Sequence, residues 1–302
     1  MSMTTARNLF DPLALKVWSR DAILRARPPV VWRRFAEEKI DLMSVPGNEV
    51  IFRVLGGFPN AKQLKNETDK LPTYKRENGE VGIKVYPMGI ATENSEFSVD
   101  FSNRNEIADN ALMFAINYGE SVDALVRSSF LSGTNVLYAN GKPNRAALTA
   151  TDKLTVKDLT DARKILKRFD KNTPPFVRDG VEHYVFAGST EQISDLKDDP
   201  DWREAHTYTI PGVTQLYSGE FGMLHGIVCV EANVDQLVGT NNLPINQGVL
   251  FGRYAVGFAI AREFEMRADP PADLGTKIRT GWVAVNGSGI LSDDYMIRLE
   301  SA

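Results

Sequence analysis

Several stretches of this chain hold residue types that could do chemistry, and none has the spacing that its chemistry needs. Gly133 and the pair Gly141 and Lys142 could frame a phosphate loop, in which backbone N–H groups surround the anion and the lysine neutralises it. Seven residues separate the two glycines, too many for that motif, and Pro143 stands where a metal-binding Ser or Thr belongs, so a structural turn is expected. His183, His206 and His225 are scattered, with no cysteine partner and no metalloprotease spacing. Zinc needs three or four convergent ligands, and no serine sits in a nucleophile elbow. The acidic run Asp198, Asp199 and Asp201 lacks the alternating acids, the glycine and the distal glutamate of a calcium loop; it reads as a helix start with Asp199 as cap and Pro200 in the first turn. Cys229 lies in the apolar run 226–230 and reads as a small buried hydrophobe; as the single cysteine it excludes a disulfide within the chain. Asn66, Glu67 and Thr68 match a glycosylation sequon, read as chance because residues 1–5 lack the layout of a secretion signal. Trp202, Tyr208 and Tyr217 read as core anchors. No catalytic residue, metal or cofactor is expected, and the chain is not read as an enzyme.

With 302 residues, 43% of them apolar, the chain is able to bury a substantial core. No apolar run reaches the length of a spanning helix, so a soluble protein made in a cytoplasm is expected, with no membrane partner. The net charge of −4 provides no global attraction to nucleic acid. The best basic stretch, 16–39, holds Arg20, Arg25, Arg27, Arg33 and Arg34, but Asp21, Glu37 and Glu38 dilute it. It reads as a solvated or subunit-facing arm.

The elements follow from pattern. Asp11 and Pro12 can open a helix carrying Leu13, Val17 and Leu24, which Pro28 and Pro29 end. The following residues 30–35, with Trp32 and Phe35, are too few to make a core and need another surface. Two apolar runs, 50–55 and 81–86, flank a polar stretch and predict an extended two-stranded ribbon. Such a ribbon is marginal alone and must lie on something, which a second copy of the chain could supply. A long helix is predicted over 104–131, capped by Asn103, with Ile107, Ala111, Phe114, Tyr118, Val122, Leu125 and Ser129 on one stripe. A second is capped by Thr155 with Asp158 three residues on, and buries Val156, Leu159, Ala162, Leu166 and Phe169. An alternating α/β unit follows, then β-rich closing residues in which 282–285 and 295–299 form a hairpin around Asn286, Gly287, Ser288 and Gly289. The class is α+β.

Three segments carry a family resemblance. Residues 132–141 directly after the long helix, residues 199–206, and residues 216–222 leading into 226–231 resemble capsid proteins of the phage N-four-like family, which share the Hong Kong 97-type fold of tailed-bacteriophage major capsid proteins. The order of elements is similar over nearly the whole chain. The resemblance implies an N-terminal arm (1–47), an extended loop (48–100), a peripheral domain with a long spine helix (101–171 and 261–302) and an axial domain (172–260). It implies hexamers and pentamers of the chain itself, forming an icosahedral virion shell around double-stranded DNA that it contacts non-specifically. Portal and scaffolding or decoration proteins are the further partners, and assembly would take place in the host cytoplasm. Candidate subunit-interface residues in the arm and loop are Trp18, Trp32, Phe35, Phe58, Leu64, Lys65, Leu71, Tyr74 and Lys84. The loop is long and lysine-rich, a departure from the family pattern. An encapsulin-like compartment that encloses cargo enzymes shares the fold and stays as the alternative, although such proteins lack an arm of this form; a soluble α/β enzyme is the more distant one.

Overall fold

A computed structural model describes residues 30–40, 47–55, 61, 73–75, 78–95, 106–168, 173–178, 180–207, 220–239, 242–269 and 277–302. Strands β1 (Glu37–Lys39), β2 (Glu49–Leu55), β3 (Asn78–Lys84) and β4 (Tyr86–Ser95) precede the long helix α1 (Glu106–Leu131). Strand β5 (Val136–Tyr138) leads to helix α2 (Val156–Leu166), then β6 (Phe176–Arg178), β7 (Val181–Gly188), α3 (Thr190–Asp198) and α4 (Pro200–Thr207). The remainder is β8 (Glu220–Leu224), β9 (Ile227–Glu231), β10 (Leu237–Val238), β11 (Pro244–Phe251), β12 (Val256–Ala268), β13 (Lys277–Ile290) and β14 (Met296–Ser301). The predicted first helix with Leu13, Val17 and Leu24, the Asn103 cap, Phe169, Tyr208 and Tyr217 lie outside the described residues.

One mixed sheet runs in the order β5-β14-β11-β7-β9-β8, with β6 and β10 paired at its margins. Its side chains alternate between two cores, as pleating requires. Val185, Ala187, Val228, Val230, Val249, Phe251 and Met296 face α1, whose Val122, Val126 and Phe130 close that side. Tyr184, Phe186, Ile227, Cys229, Leu250, Ile297 and Leu299 point the other way, against Val156, Leu159, Ala162 and Leu166 of α2, Ile193 and Leu196 of α3 and Trp202 of α4. The short helices are set by capping. Thr155 and Asp158 form the expected capping box at α2. The Asp199 carboxylate accepts the Asp201 N–H at 2.9 Å and the Val156 N–H at 2.9 Å, so one side chain caps α4 and helps to cap α2.

A second sheet, ordered β1-β12-β13-β4, lies under α1 on one face, where Phe114 and Tyr118 meet Trp282, Ala284, Met88 and Phe264. On its other face Ala259, Ala261 and Val285 meet Val50, Phe52, Ile83 and Val85 of the paired strands β2 and β3. The predicted ribbon is present, and the surface under its base belongs to this chain's own sheet.

The predicted hairpin of closing strands is not formed. Strand β13 runs straight through Asn286–Gly289, pairing with β12 and β4, while β14 joins the other sheet between β5 and β11. Gly287 serves close approach instead of a turn: a Cβ there would collide with the Lys84 carbonyl where the ribbon base crosses β13.

Charged groups hold β14 in place. Arg145 pairs bidentately with buried Glu300 at 2.7 and 2.6 Å, and Arg298 lies 3.0 Å from the same carboxylate. Burial pushes the Glu300 carboxyl up, but Arg145 and Arg298 outweigh it and leave it below its ordinary value. The Ala302 N–H donates to the Asp152 carbonyl at 3.1 Å. The Asp152 side chain is held down to about 2 by the Asn140 amide, then the Thr149 N–H and hydroxyl, with Lys142 nearby.

Two outcomes follow from this packing. Phe251→Ala, at the centre of the α1-facing core, should lower unfolding free energy by about 3–5 kcal/mol in urea titration. Glu300 and Asp152 both titrate lower folded than unfolded, so the stability they contribute is full above about pH 4.3 and is lost as pH falls through the folded values. Urea midpoints measured from pH 6 down to pH 2.5 should decline across that window, and less steeply in Glu300→Gln.

Candidate functional site

Among the described residues the surfaces of interest are the arm and the ribbon. The arm residues 30–40 begin where the chain crosses α1. There the Asp123 carboxylate accepts the Trp32 N–H at 2.7 Å and the Arg33 N–H at 3.2 Å, capping the 3-10 turn Arg33–Phe35 from outside. Burial pushes the Asp123 carboxyl up, opposed by these N–H donors and by Arg127. Trp32 is 0% and Phe35 4% exposed. Trp32 lies 5.3 Å from the Phe130 ring and Phe35 5.4 Å from Phe251. The surface these two side chains need is therefore their own chain's core, and both are removed from the set of subunit-contact candidates. The arm then adds β1 to β12 in parallel and turns Lys39 over the Phe52 ring at 4.6 Å.

The ribbon has apolar residues on both faces. Val50 and Phe52 point inward; Ile51 is exposed on the opposite face, and Val54, on the face of Phe52 but nearer the far end of the ribbon, is exposed as well. A strand that covers only one core should alternate apolar and polar, so the outer face is short of a cover. Among the described residues β4 is an edge strand of the second sheet, and it exposes Tyr86 at 64% and Ile90 at 51%. Of the interface residues expected from sequence, Tyr74 is exposed, and Lys84 is exposed at the ribbon's base. Trp18, Phe58, Leu64, Lys65 and Leu71 lie outside the described residues. Ile51, Val54, Tyr86, Ile90 and Asp123 escaped the sequence reading. The signals were there: apolar residues at consecutive ribbon positions, and one acid inside the apolar helical run 122–126.

The segments that invited a chemical reading have structural places. Asn140 (φ 55°) and Gly141 (φ 66°) make the turn after β5, and Lys142 points to Asp152 at 3.5 Å. His183 is buried and stacks on Phe176, His225 sits in the β8–β9 turn, and Cys229 is fully buried. Among the described residues no three His, Cys, Asp or Glu side chains could hold a metal ion, and no helix is long and apolar enough to cross a membrane.

Comparison with known proteins places this architecture. The model of the phage capsid protein family matches residues 117–264, from the middle of α1 into β12. The capsid of Ralstonia phage GP4 superposes with a TM-score of 0.77 at 15% identity, over 100% of this chain and 97% of that one. The capsid asymmetric unit of Cyanophage Pam1 gives 0.74 at 14% identity, over 95% and 96%. The head structure of Helicobacter pylori bacteriophage KHP40 gives 0.71 at 16% identity, over 100% and 97%. A search of curated proteins finds no match. The fold is thus that of phage capsid proteins. More narrowly, this chain has the α+β fold of the Hong Kong 97-type capsid subunit, as its element order and loop segments led one to expect.

The Asp123 contact is open to direct test. Asp123→Ala leaves two N–H donors of the arm without their acceptor, a loss of about 1–3 kcal/mol. Trypsin should then cut after Arg33 or Arg34 at least several-fold faster than in the natural chain, while far-ultraviolet circular dichroism keeps its native shape.

Proposed function

We propose that this chain is a major capsid protein whose copies tile the icosahedral shell enclosing phage double-stranded DNA. The observation that carries the reading is the superposition of the entire chain, arm and ribbon included in its span, on phage capsid subunits. Its role is structural: binding area spread over many contacts does the work, and no catalytic group is assigned. Sixfold and fivefold rings of the chain are the assembling units, and the virion shell is where it resides. Portal and scaffolding or decoration proteins, and non-specific contact with DNA, complete its partners.

The ribbon supports this role through its outer face. Ile51 exposes apolar area on the face opposite Val50 and Phe52, whose own side is already satisfied by the sheet. A neighbouring copy lying on that face would remove it from water at about 25 cal/mol per Å². Contacts of that size are individually weak, which lets a misplaced subunit leave while the closed shell holds by their number.

Negative-stain microscopy of the purified protein should show rings or closed shells; a homogeneous monomer at high concentration would overturn the reading. Replacing residues 56–77 by a two-residue turn joins β2 to β3 without touching their buried faces. That variant should stay folded and soluble but fail to close shells, and normal particles from it would remove the ribbon from the mechanism.

A further inference from the structure

Asparagine followed by glycine occurs three times in the chain, at residues 78–79, 140–141 and 286–287. In such a pair no Cβ beside the glycine N–H obstructs attack, so its nitrogen can bond to the asparagine Cγ and close a five-membered imide. Ammonia leaves as that ring forms, and water then opens it to aspartate or isoaspartate. Two conditions must be met. The side-chain amide must be free to turn, and the glycine nitrogen must lie on the same side of the Cα–C bond as the asparagine Cβ.

The fold treats two of these pairs in opposite ways. Asn286 is 2% exposed and lies inside β13, opposite Ile260 of β12 on one side and Tyr86 of β4 on the other. It cannot rotate while the sheet is intact. Asn140 is exposed in the turn after β5, with φ 55° and ψ 26°. At that ψ the Gly141 nitrogen points nearly away from the Asn140 Cβ, so the ring cannot close until the turn rotates. Sterically the turn is free to do so, since a Cβ built on Gly141 would meet nothing within 4 Å. Besides the Lys142 N–H bond to the Ala139 carbonyl at 3.3 Å, the restraint comes from Asp152. Its Oδ1 accepts the Asn140 amide at 3.0 Å. Asp152 is itself fixed: it is 4% exposed, and its Oδ2 accepts the Thr149 N–H and hydroxyl, each at 2.8 Å, with the Lys142 Nζ 3.5 Å away.

We propose that Asn140 is a site of spontaneous deamidation gated by Asp152, the imide forming only when the turn opens away from that carboxylate. The product carries a carboxylate where the amide donor was. It faces Asp152 Oδ1 with no hydrogen to share, so the turn no longer closes as before. The Asp152 carbonyl accepts the Ala302 N–H at 3.1 Å, which carries the disturbance to the end of β14. Each opening that reacts is thereby recorded permanently. The chemistry is internal to one chain and independent of shell formation.

The full chain, aged in mildly alkaline buffer and mapped by peptide mass spectrometry with fragment spectra, should gain one mass unit at Asn140 and none at Asn286. Asp152→Ala should speed conversion at Asn140 by about tenfold, the factor set by a local opening made about 1.4 kcal/mol easier, and leave Asn286 unchanged. A variant that unfolds altogether is recognised by conversion at both sites. The natural chain in urea below its unfolding midpoint then supplies the same comparison, with Asn140 faster and Asn286 not. Equal rates at the two asparagines there, or an unmoved Asn140 rate in Asp152→Ala with native circular dichroism, would overturn the gate. No conversion at Asn140 even in the fully unfolded chain would overturn the site. Asn140→Asp, one form of the product, should unfold at lower urea than the natural chain; an equal midpoint would overturn the loosening of the turn.

Discussion

The structure depends on one shared hydrophobic centre. Phe251 at the end of β11 is touched by Phe130 of α1 at 4.5 Å, by Phe35 of the arm at 5.4 Å and by Phe176 of β6 at 6.2 Å, with Trp32 at 6.5 Å. Elements from four distant parts of the sequence therefore share one close-packed site, and interiors packed to this density tolerate little displacement. None of them can shift without opening the site for the others. Asp123 adds direction to what is otherwise only apolar packing, because its carboxylate fixes where on α1 the arm crosses.

From that centre the two sheets extend to opposite ends of the long helix. The C-terminal half of α1 lies over the eight-stranded sheet and its N-terminal half over the four-stranded one, about 39 Å end to end for 26 residues at 1.5 Å each. The helix is thus a common beam. The β-bulges between Ile260 and Arg262 and between Arg262 and Glu265 let β12 leave the shared centre and still return Phe264 to the helix face, next to Tyr118 at 5.4 Å.

Local signals were legible in the sequence where one physical rule acts alone. The Thr155 and Asp158 capping box, the α1 stripe through Phe114, Tyr118 and Val122 and the paired runs of the ribbon all follow from spacing. Readings failed where tertiary contact overrides local preference. Asn286 to Gly289 has turn composition, yet Gly287 is there to admit the Lys84 carbonyl from a strand two hundred residues earlier in the chain. Trp32 and Phe35 were legible as side chains in need of cover, but which surface covers them is a property of the folded chain. The stripe also drifts: Val126 and Phe130, not Leu125, carry the burial at the end of α1, because the helix there turns toward Trp32 as well as the sheet.

The position of β14 has a consequence in time. It lies between β5 and β11, both of which precede it in sequence, and bonds to each along its length. On a ribosome the earlier strands would leave the tunnel with a gap between them, their apolar faces unsupported and their backbone groups unpaired. The sheet becomes continuous only when β14, made after its neighbours, drops into that gap. A nascent chain therefore gains its rigid body late, after its arm and ribbon have already been made. A geometry of this kind delays firm surfaces until β14 has been made.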